Sequence, residues 1–316
     1  MRVLANDGIS PAGEKTLKES GIEVLDHRVS QEQLVQYIND NAVDVLLVRS
    51  ATKVRKDLID ACPSLKIIGR GGVGMDNIDV EYAKSRGIKV INTPTASSKS
   101  VAEMVFAHFF SLARFLHESN RMMPLEGETK FKELKKSYSK AVELSGKTLG
   151  VIGFGSIGKE VLKKGIALGM KVLVCNKEAK TETLKLDFFD GRSLDFEVTS
   201  TSLEEVLRNS DFISINTPKT NSYIIDEPQF EMMKDGVFIA NTARGGVLNE
   251  KALLKFIENG KVAGAALDVF ENEPNPELSV LMNPQLSLTP HLAGNTLEAQ
   301  ERIGVELAEQ IINLKF

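Results

Sequence analysis

Three glycines and three polar side chains are the residues of this chain best suited to chemistry. The stretch "VIGFGSIG" sets Gly153, Gly155 and Gly158 in GxGxxG spacing, after an apolar run and before a helical pattern. The first glycine permits a tight turn, the second lets backbone approach a pyrophosphate, and the third lets the helix pack on its strand. The helix N-terminus beyond them offers unpaired N–H groups to phosphate. A glycine turn serving packing alone is the competing reading, but the strand–loop–helix setting favours a dinucleotide. A second strand, "MKVLVCN", ends about 18 residues after Gly158 at Asn176, where an Asp or Glu usually accepts bonds from the adenosine ribose. Asn176 keeps part of that hydrogen bonding and does not repel a 2′-phosphate, for which Lys177 and Lys180 are candidate partners.

Arg244, Glu273 and His291 each follow a predicted strand, in "NTARGGVLNE", "LDVFENEP" and "TPHLAGNT". Strand C-terminal ends face the ligand crevice of a doubly wound sheet, so the three are expected to converge there. An arginine fork binds a carboxylate bidentately and polarises a neighbouring carbonyl. A histidine moves a hydroxyl proton as general acid or base, and a carboxylate beside it favours the charged ring and orients it. Singly, they read as a strand cap, a solvated loop charge and a turn residue. Together, downstream of a dinucleotide loop, they read as a catalytic set.

The elements that must position these residues alternate. "RVLAND", "IEVLDH", "VDVLLVRS", "LKIIGRGG" and "KVINTP" are strand candidates, with helical patterns at Gln31–Asn39 and Asp79–Ser85 between them. "SSKSVAEMVFAHFFSLARFLHESN", Ser97 to Asn120, is expected as one long helix with serine caps. His108 and His117 on it read as a packed or surface pair, not a metal site. Six further strand candidates run from "KTLGVIGFG" to "LSLTPH". A last helix is expected over Thr296–Leu314, with Leu297, Ile303, Leu307, Ile311 and Leu314 inward. Near-continuous apolar strands alternating with helices imply parallel sheets covered on both faces, so the fold class is α/β with two doubly wound parallel-sheet domains. A chain of 316 residues fits two cores better than one.

A net charge of −4 gives no reason to expect nucleic-acid binding. The basic run Lys130–Lys140 reads as a solvated helical face. No apolar run reaches membrane-span length, and the N-terminus turns polar too soon for a signal peptide. Cys62 and Cys175, the two cysteines, are expected as buried thiols in a reducing cytoplasm, and no metal is expected.

These segments together resemble the D-isomer-specific 2-hydroxyacid dehydrogenases. The resemblance runs through "RSATKV", "GRGGVGMDNIDV", "NTP", "SGKTLGVIGFGSIG", "NTARGGVLNE", "AGAALDVFENEP" and "PHLAGNT". It implies a Rossmann-type cofactor domain at 98–288 inserted into a flavodoxin-like substrate domain at 1–97 and 289–316. It assigns the substrate carboxylate and carbonyl to Arg244, the acid/base role to His291 and its support to Glu273. It implies cofactor contacts from Gly153, Gly155, Ser156, Ile157, Gly158, Asn176, Thr217, Pro218, Thr242, Ala243, Arg244, Asp268, His291 and Gly294. It leans the cofactor to NAD, with NADP left open by Asn176. The partner is a small 2-hydroxy or 2-keto acid, and a homodimer built around the segment after Ser97 is implied.

Substrate choice falls to the first domain. "GGVG", with Gly72, Val73 and Gly74, offers successive backbone N–H groups for a carboxylate. Arg49, Lys53 and Arg70 stand at strand ends; a phosphate of about −1.5 to −2 charge favours two or more such cations. The likeness at "RSATKV" points to 3-phosphoglycerate as substrate, in serine biosynthesis. Lys132, Lys135 or Lys136 of a neighbouring subunit is a candidate further cation. The alternatives are a reductase of hydroxypyruvate or glyoxylate, and a cofactor-sensing corepressor on the same fold. The chain stops just past its last helix, so feedback control through a regulatory extension is not expected.

Overall fold

Strands such as "VLLV" and "FISI" are buried at every position, so both sheet faces must be covered. The computed structural model describes residues 1–314 and meets that demand twice, in two units. One comprises Met1–Ser98 and the segment from Gly294 onward; the other is Lys99–Ala293. Residues 289–293 therefore group with the strand they follow. Lys315 and Phe316, the end of the expected substrate domain, lie outside the described residues.

In the first unit, β1 (Arg2–Ala5), β2 (Glu23–Leu25), β3 (Val45–Val48), β4 (Ile67–Arg70) and β5 (Lys89–Asn92) form a parallel sheet of order β2-β1-β3-β4-β5. Its topological switch point lies between β1 and β3. The helices α1 (Pro11–Glu19), α2 (Leu34–Asp40), α3 (Lys56–Ala61) and α4 (Val80–Ser85) connect the strands. Leu4, Leu46 and Ile68 face α2, α3 and α4; Val3, Val45, Leu47 and Ile67 face α1 and the C-terminal helix.

The second unit opens with two helices where one was expected. α5 (Ser98–Ala113) and α6 (Leu116–Ser137) are separated at Phe115, whose φ of +52° is left-handed and breaks the helix. α5 packs Val105, Phe109 and Leu112 into the core, whereas Leu134 is the one buried residue of α6. Next come β6 (Thr148–Ile152), α7 (Ser156–Ala167) and β7 (Lys171–Cys175), then β8 (Thr181–Asp187) and β9 (Ser193–Thr199). After them follow α8 (Leu203–Asn209), β10 (Phe212–Ile215), α9 (Glu227–Met232), β11 (Val237–Asn241), α10 (Glu250–Glu258), β12 (Val262–Leu267), α11 (Leu278–Leu281) and β13 (Leu286–Leu288). The main sheet is parallel, of order β13-β12-β11-β10-β6-β7, with its switch between β6 and β10. All six expected strands are in it.

β8 and β9 were not foreseen. They form an antiparallel hairpin, Thr181 opposite Thr199 through Asp187 opposite Ser193, with Leu184, Leu186 and Val198 inward. The chain closes with α12 (Leu297–Asn313), which buries Ile303, Leu307 and Ile311 in the first unit. Leu297, expected inward, is 86% exposed because it opens the helix before the packed face begins. α12 lies backbone-to-backbone on α1: a Cβ on Gly13 would stand 2.5 Å from the Gly304 carbonyl. Cys62 and Cys175 are buried, which pushes both thiols up to about 11. Among the described residues, no helix is long and apolar enough to cross a membrane.

Candidate active site

The three glycines of the β6–α7 turn occupy three different environments. Gly153 has φ +105°, and a Cβ there would stand 2.5 Å from the Asn216 carbonyl oxygen. Gly158 lies against the same turn, its missing Cβ 2.0 Å from the Gly153 oxygen. Gly155 has nothing within 4 Å, and it begins α7 without a side-chain cap. An open Gly155, followed by the first-turn N–H groups of Ser156, Ile157 and Gly158, is the form a pyrophosphate cradle requires. Around it, at the ends of β10 and β11, the Thr217 and Thr242 hydroxyls and Asn216 Oδ1 are buried without a protein partner. Buried polar atoms normally have a partner, so this rim fits a dinucleotide. Pro218 and the buried Ala243 follow the same strand ends.

Asn176 is tied down: its Oδ1 accepts from Phe154 N at 3.3 Å, and its Nδ2 donates to the Glu178 oxygen at 3.0 Å. Lys177 is exposed. Lys180, read from sequence as a partner for a 2′-phosphate, is engaged elsewhere. It pairs with Glu182 on β8 at 2.7 Å and sits over the Phe154 ring, and Glu182 also pairs with Lys159. The hairpin supplies this acid, which the strand–helix reading did not contain.

At the opposite side of the switch point, His291 Nδ1 lies 2.8 Å from Glu273 Oε2, both side chains partly exposed. Glu273 Oε1 accepts from Phe270 N at 2.9 Å, so the carboxylate is fixed in its own turn while it holds the ring. His291 has φ +51°, a left-handed conformation uncommon for a residue with a side chain. Asp268 keeps it there: its backbone oxygen accepts from His291 N, and its carboxylate accepts from Leu292 N, Ala293 N and the Thr289 hydroxyl. Arg244 follows β11, with Nη1 donating to the Ala243 oxygen at 2.7 Å. The next residue, Gly245, presses on the Glu273 turn; a Cβ there would stand 1.8 Å from the Phe270 oxygen. Glu250 and Glu271 cross-link the same segments, each carboxylate accepting the other's backbone N–H. The Arg244 loop and the Glu273–His291 pair are thus built on one scaffold of strand ends.

A family model described as the NAD-binding domain of the D-isomer-specific 2-hydroxyacid dehydrogenases matches residues 106–293. The chain belongs to that family. It is 42% identical to a hydroxypyruvate reductase of Thermotoga maritima, over 98% of this chain and 97% of that protein. It is 39% identical to a D-3-phosphoglycerate dehydrogenase of Archaeoglobus fulgidus, over 99% of this chain but only 57% of that protein. Among solved structures, a glyoxylate reductase from Paecilomyes thermophila superposes with TM-score 0.80 at 29% identity, covering 98% of this chain and 93% of that one. The second unit of this 2-hydroxyacid dehydrogenase is an NAD-binding domain, and the protein is an NAD-dependent oxidoreductase.

The expected substrate-side residues of the dehydrogenase lie in its first unit. Arg49 follows β3 at the switch point and lines a cavity of about 360 Å³ with Asp7, His27 and Arg28. Burial pushes its guanidinium down, and among the described residues it makes no ion pair. Asp7 is nearby but spends its carboxylate on Arg49 N, Thr52 N and the Thr52 hydroxyl. Lys53 is exposed, its backbone clamped by Gln31. Arg70 folds back over Gly72, which has φ +141°, and its Nη1 donates to the Gly71 oxygen at 3.3 Å. The Val73 oxygen accepts from Asn92, and Gly74 completes the loop. Gly294 opens the segment grouped with this unit. Sequence reasoning missed Glu182, Glu250 and the environment of His108; of these only Glu182 had a local signal, the period-two alternation of "TETLKLD".

Proposed function

We propose that this dehydrogenase interconverts D-3-phosphoglycerate and 3-phosphohydroxypyruvate with NAD. The observation that carries the substrate choice is Arg49, a half-buried cation at a switch point whose acidic neighbour, Asp7, directs its carboxylate to Arg49 N, Thr52 N and the Thr52 hydroxyl and not to the guanidinium. A buried charge is costly unless a ligand or side chain pairs with it, and an unphosphorylated hydroxy acid needs no such group. Arg244 holds the substrate carboxylate and polarises the carbonyl. His291 presents Nε2 to the hydroxyl, because Nδ1 is held by Glu273. Glu273 favours the charged ring formed when the alcohol proton arrives. NAD, when bound, supplies the hydride acceptor. Fixed placement of these groups converts encounter into oriented reaction.

A second reading is a hydroxypyruvate reductase, supported by the 42% identity over nearly the full length of the Thermotoga protein. Turnover of 3-phosphohydroxypyruvate and hydroxypyruvate with NADH separates the two. The Arg49→Ala variant is expected to raise KM for the phosphorylated substrate at least tenfold more than for hydroxypyruvate, since a charge-assisted contact contributes about 1.5–3 kcal/mol. Equal losses on both substrates would remove Arg49 from a phosphate site, and a wild-type preference for hydroxypyruvate would select the second reading. The working unit in this proposal is a homodimer formed through α6, along which Leu116, Met123, Leu125 and Phe131 are 45–77% exposed. Lys132, Lys135 or Lys136 of that helix then stands available to the neighbouring subunit.

A further inference from the structure

His108 is a buried histidine that the reaction does not use. It lies on α5, 3% exposed, with Nδ1 2.9 Å from Ser287 Oγ and Nε2 3.1 Å from Thr289 Oγ1. Thr289 donates its hydroxyl proton to Asp268 Oδ1 at 2.6 Å. Having spent that proton, Thr289 accepts from Nε2–H of the ring, so Nδ1 is bare and accepts from the Ser287 hydroxyl. Burial pushes the imidazole below the ordinary histidine range, which keeps this single neutral tautomer. The chain of donors therefore runs one way, from Ser287 through His108 and Thr289 to Asp268.

Asp268 is where the chain meets the loop. The same Oδ1 accepts from Leu292 N at 2.8 Å, and Oδ2 accepts from Ala293 N at 2.9 Å. These bonds anchor the two residues that follow His291, whose left-handed backbone needs external support to persist. We propose that His108 is a positioning residue for the catalytic loop, setting the orientation of Thr289 and Asp268 and through them the aim of His291 at its reacting proton. This rests on the proposed acid/base role of His291. A hydrophobe at position 108 fills the space but leaves the Thr289 hydroxyl free to turn away from Asp268. A glutamine reproduces both polarities, with an amide N–H toward Thr289 and a carbonyl toward Ser287.

The test compares His108→Leu, His108→Gln and Thr289→Val with the wild type in two readouts. The first is hydrogen exchange of the Leu292 and Ala293 amides in the free protein, with β10 amides as reference. Exchange at 292 and 293 is expected to quicken at least tenfold in His108→Leu and Thr289→Val, and to stay near wild type in His108→Gln. The second is steady-state reduction of the best 2-keto acid with NADH. There kcat is expected to fall about tenfold or more in the first two variants with KM changed less than threefold, because misaimed groups impair the chemical step. His108→Gln should recover most of that loss at an unfolding temperature no higher than that of His108→Leu. Unchanged amide exchange in both His108→Leu and Thr289→Val overturns the proposal, as does wild-type kcat in either of them. If His108→Leu does not fold, Thr289→Val, which cuts the chain one link nearer the loop, decides alone. Altered exchange in a protein whose wild type reduces no 2-keto acid would leave the network standing and sink the acid/base reading of His291.

Discussion

Single residues of the NAD-binding unit carry charge states that the fold sets. Glu250 is 6% exposed, and burial pushes its carboxyl up to about 7, with Glu271, Glu273 and Glu277 adding repulsion against the opposing Glu271 N–H. Below pH 4.5 it is protonated in the folded and unfolded chain alike. Between 4.5 and about 7 the unfolded chain releases the proton that the folded protein keeps, so the stability Glu250 contributes is lost as pH rises through its folded value. Glu250→Gln keeps an acceptor for Glu271 N without the charge. It is expected to be more stable than wild type at pH 8.5, by on the order of 2 kcal/mol, with the advantage gone below pH 4.5. Thermal unfolding across that range checks it; a pH-independent difference would show that the carboxylate is not the cause. Asn176 poses the other residue-scale question. With Lys180 held by Glu182, little remains at β7 to grip a 2′-phosphate, and exposed Lys177 is worth at most about 1 kcal/mol. We expect NAD to be preferred by less than about 100-fold, or 2.8 kcal/mol, and Asn176→Asp to widen that margin mainly by weakening NADP. A preference for NADP in wild-type kcat/KM ratios would refute this.

At the scale of elements, the β6–α7 turn separates binding from folding within six residues. A methyl at Gly155 meets no protein atom, while one at Gly158 meets the Gly153 carbonyl. Gly155→Ala should therefore unfold within about 2 °C of wild type yet bind NADH at least tenfold more weakly, because the methyl occupies the approach of the pyrophosphate. Gly158→Ala should lose about 1–3 kcal/mol of stability through forced backbone shifts. Calorimetry and NADH fluorescence titration read the two effects separately. Similar unfolding losses in both variants would mean that Gly155 is a packing glycine after all. The hairpin is the element that departs most from the strand–helix alternation, and its Glu182 changes the electrostatics near the end of β7 by engaging two lysines.

For the whole molecule, α6 is the part whose sequence and burial disagree. It spans 22 residues with one buried, and its exposed Leu125 and Phe131 are not what a solvated arm favours. If α6 is the dimer face, Leu125→Asp with Phe131→Asp should convert a sedimenting dimer to monomer while each unit keeps its secondary structure. A dimer that survives both substitutions would assign the interface elsewhere. Two autonomous sheets, each with cores on both faces, give every unit enough buried surface to remain folded in that monomer.

What the sequence determined by itself is what depends on neighbours a few residues apart. The spacing of Gly153, Gly155 and Gly158, the apolar strands and the position of Arg244, Glu273 and His291 after them follow from local periodicity and turn chemistry, and the structure keeps all of these. The break at Phe115 and the exposure of Leu297 already escape that reading, because packing decides where a helix bends and where its buried face starts. The remaining features belong to tertiary structure alone. Lys180 reaches Glu182 two residues along the chain, but Glu182 meets Lys159 only because folding lays β8 against α7. Burial raises the Glu250 carboxyl while its bond to Glu271 N, 21 residues away, opposes the rise, and His108 reaches Thr289 across 181 residues. Such pairings reflect distance in space and the loss of solvent around buried groups, neither of which is written in the order of residues along the chain.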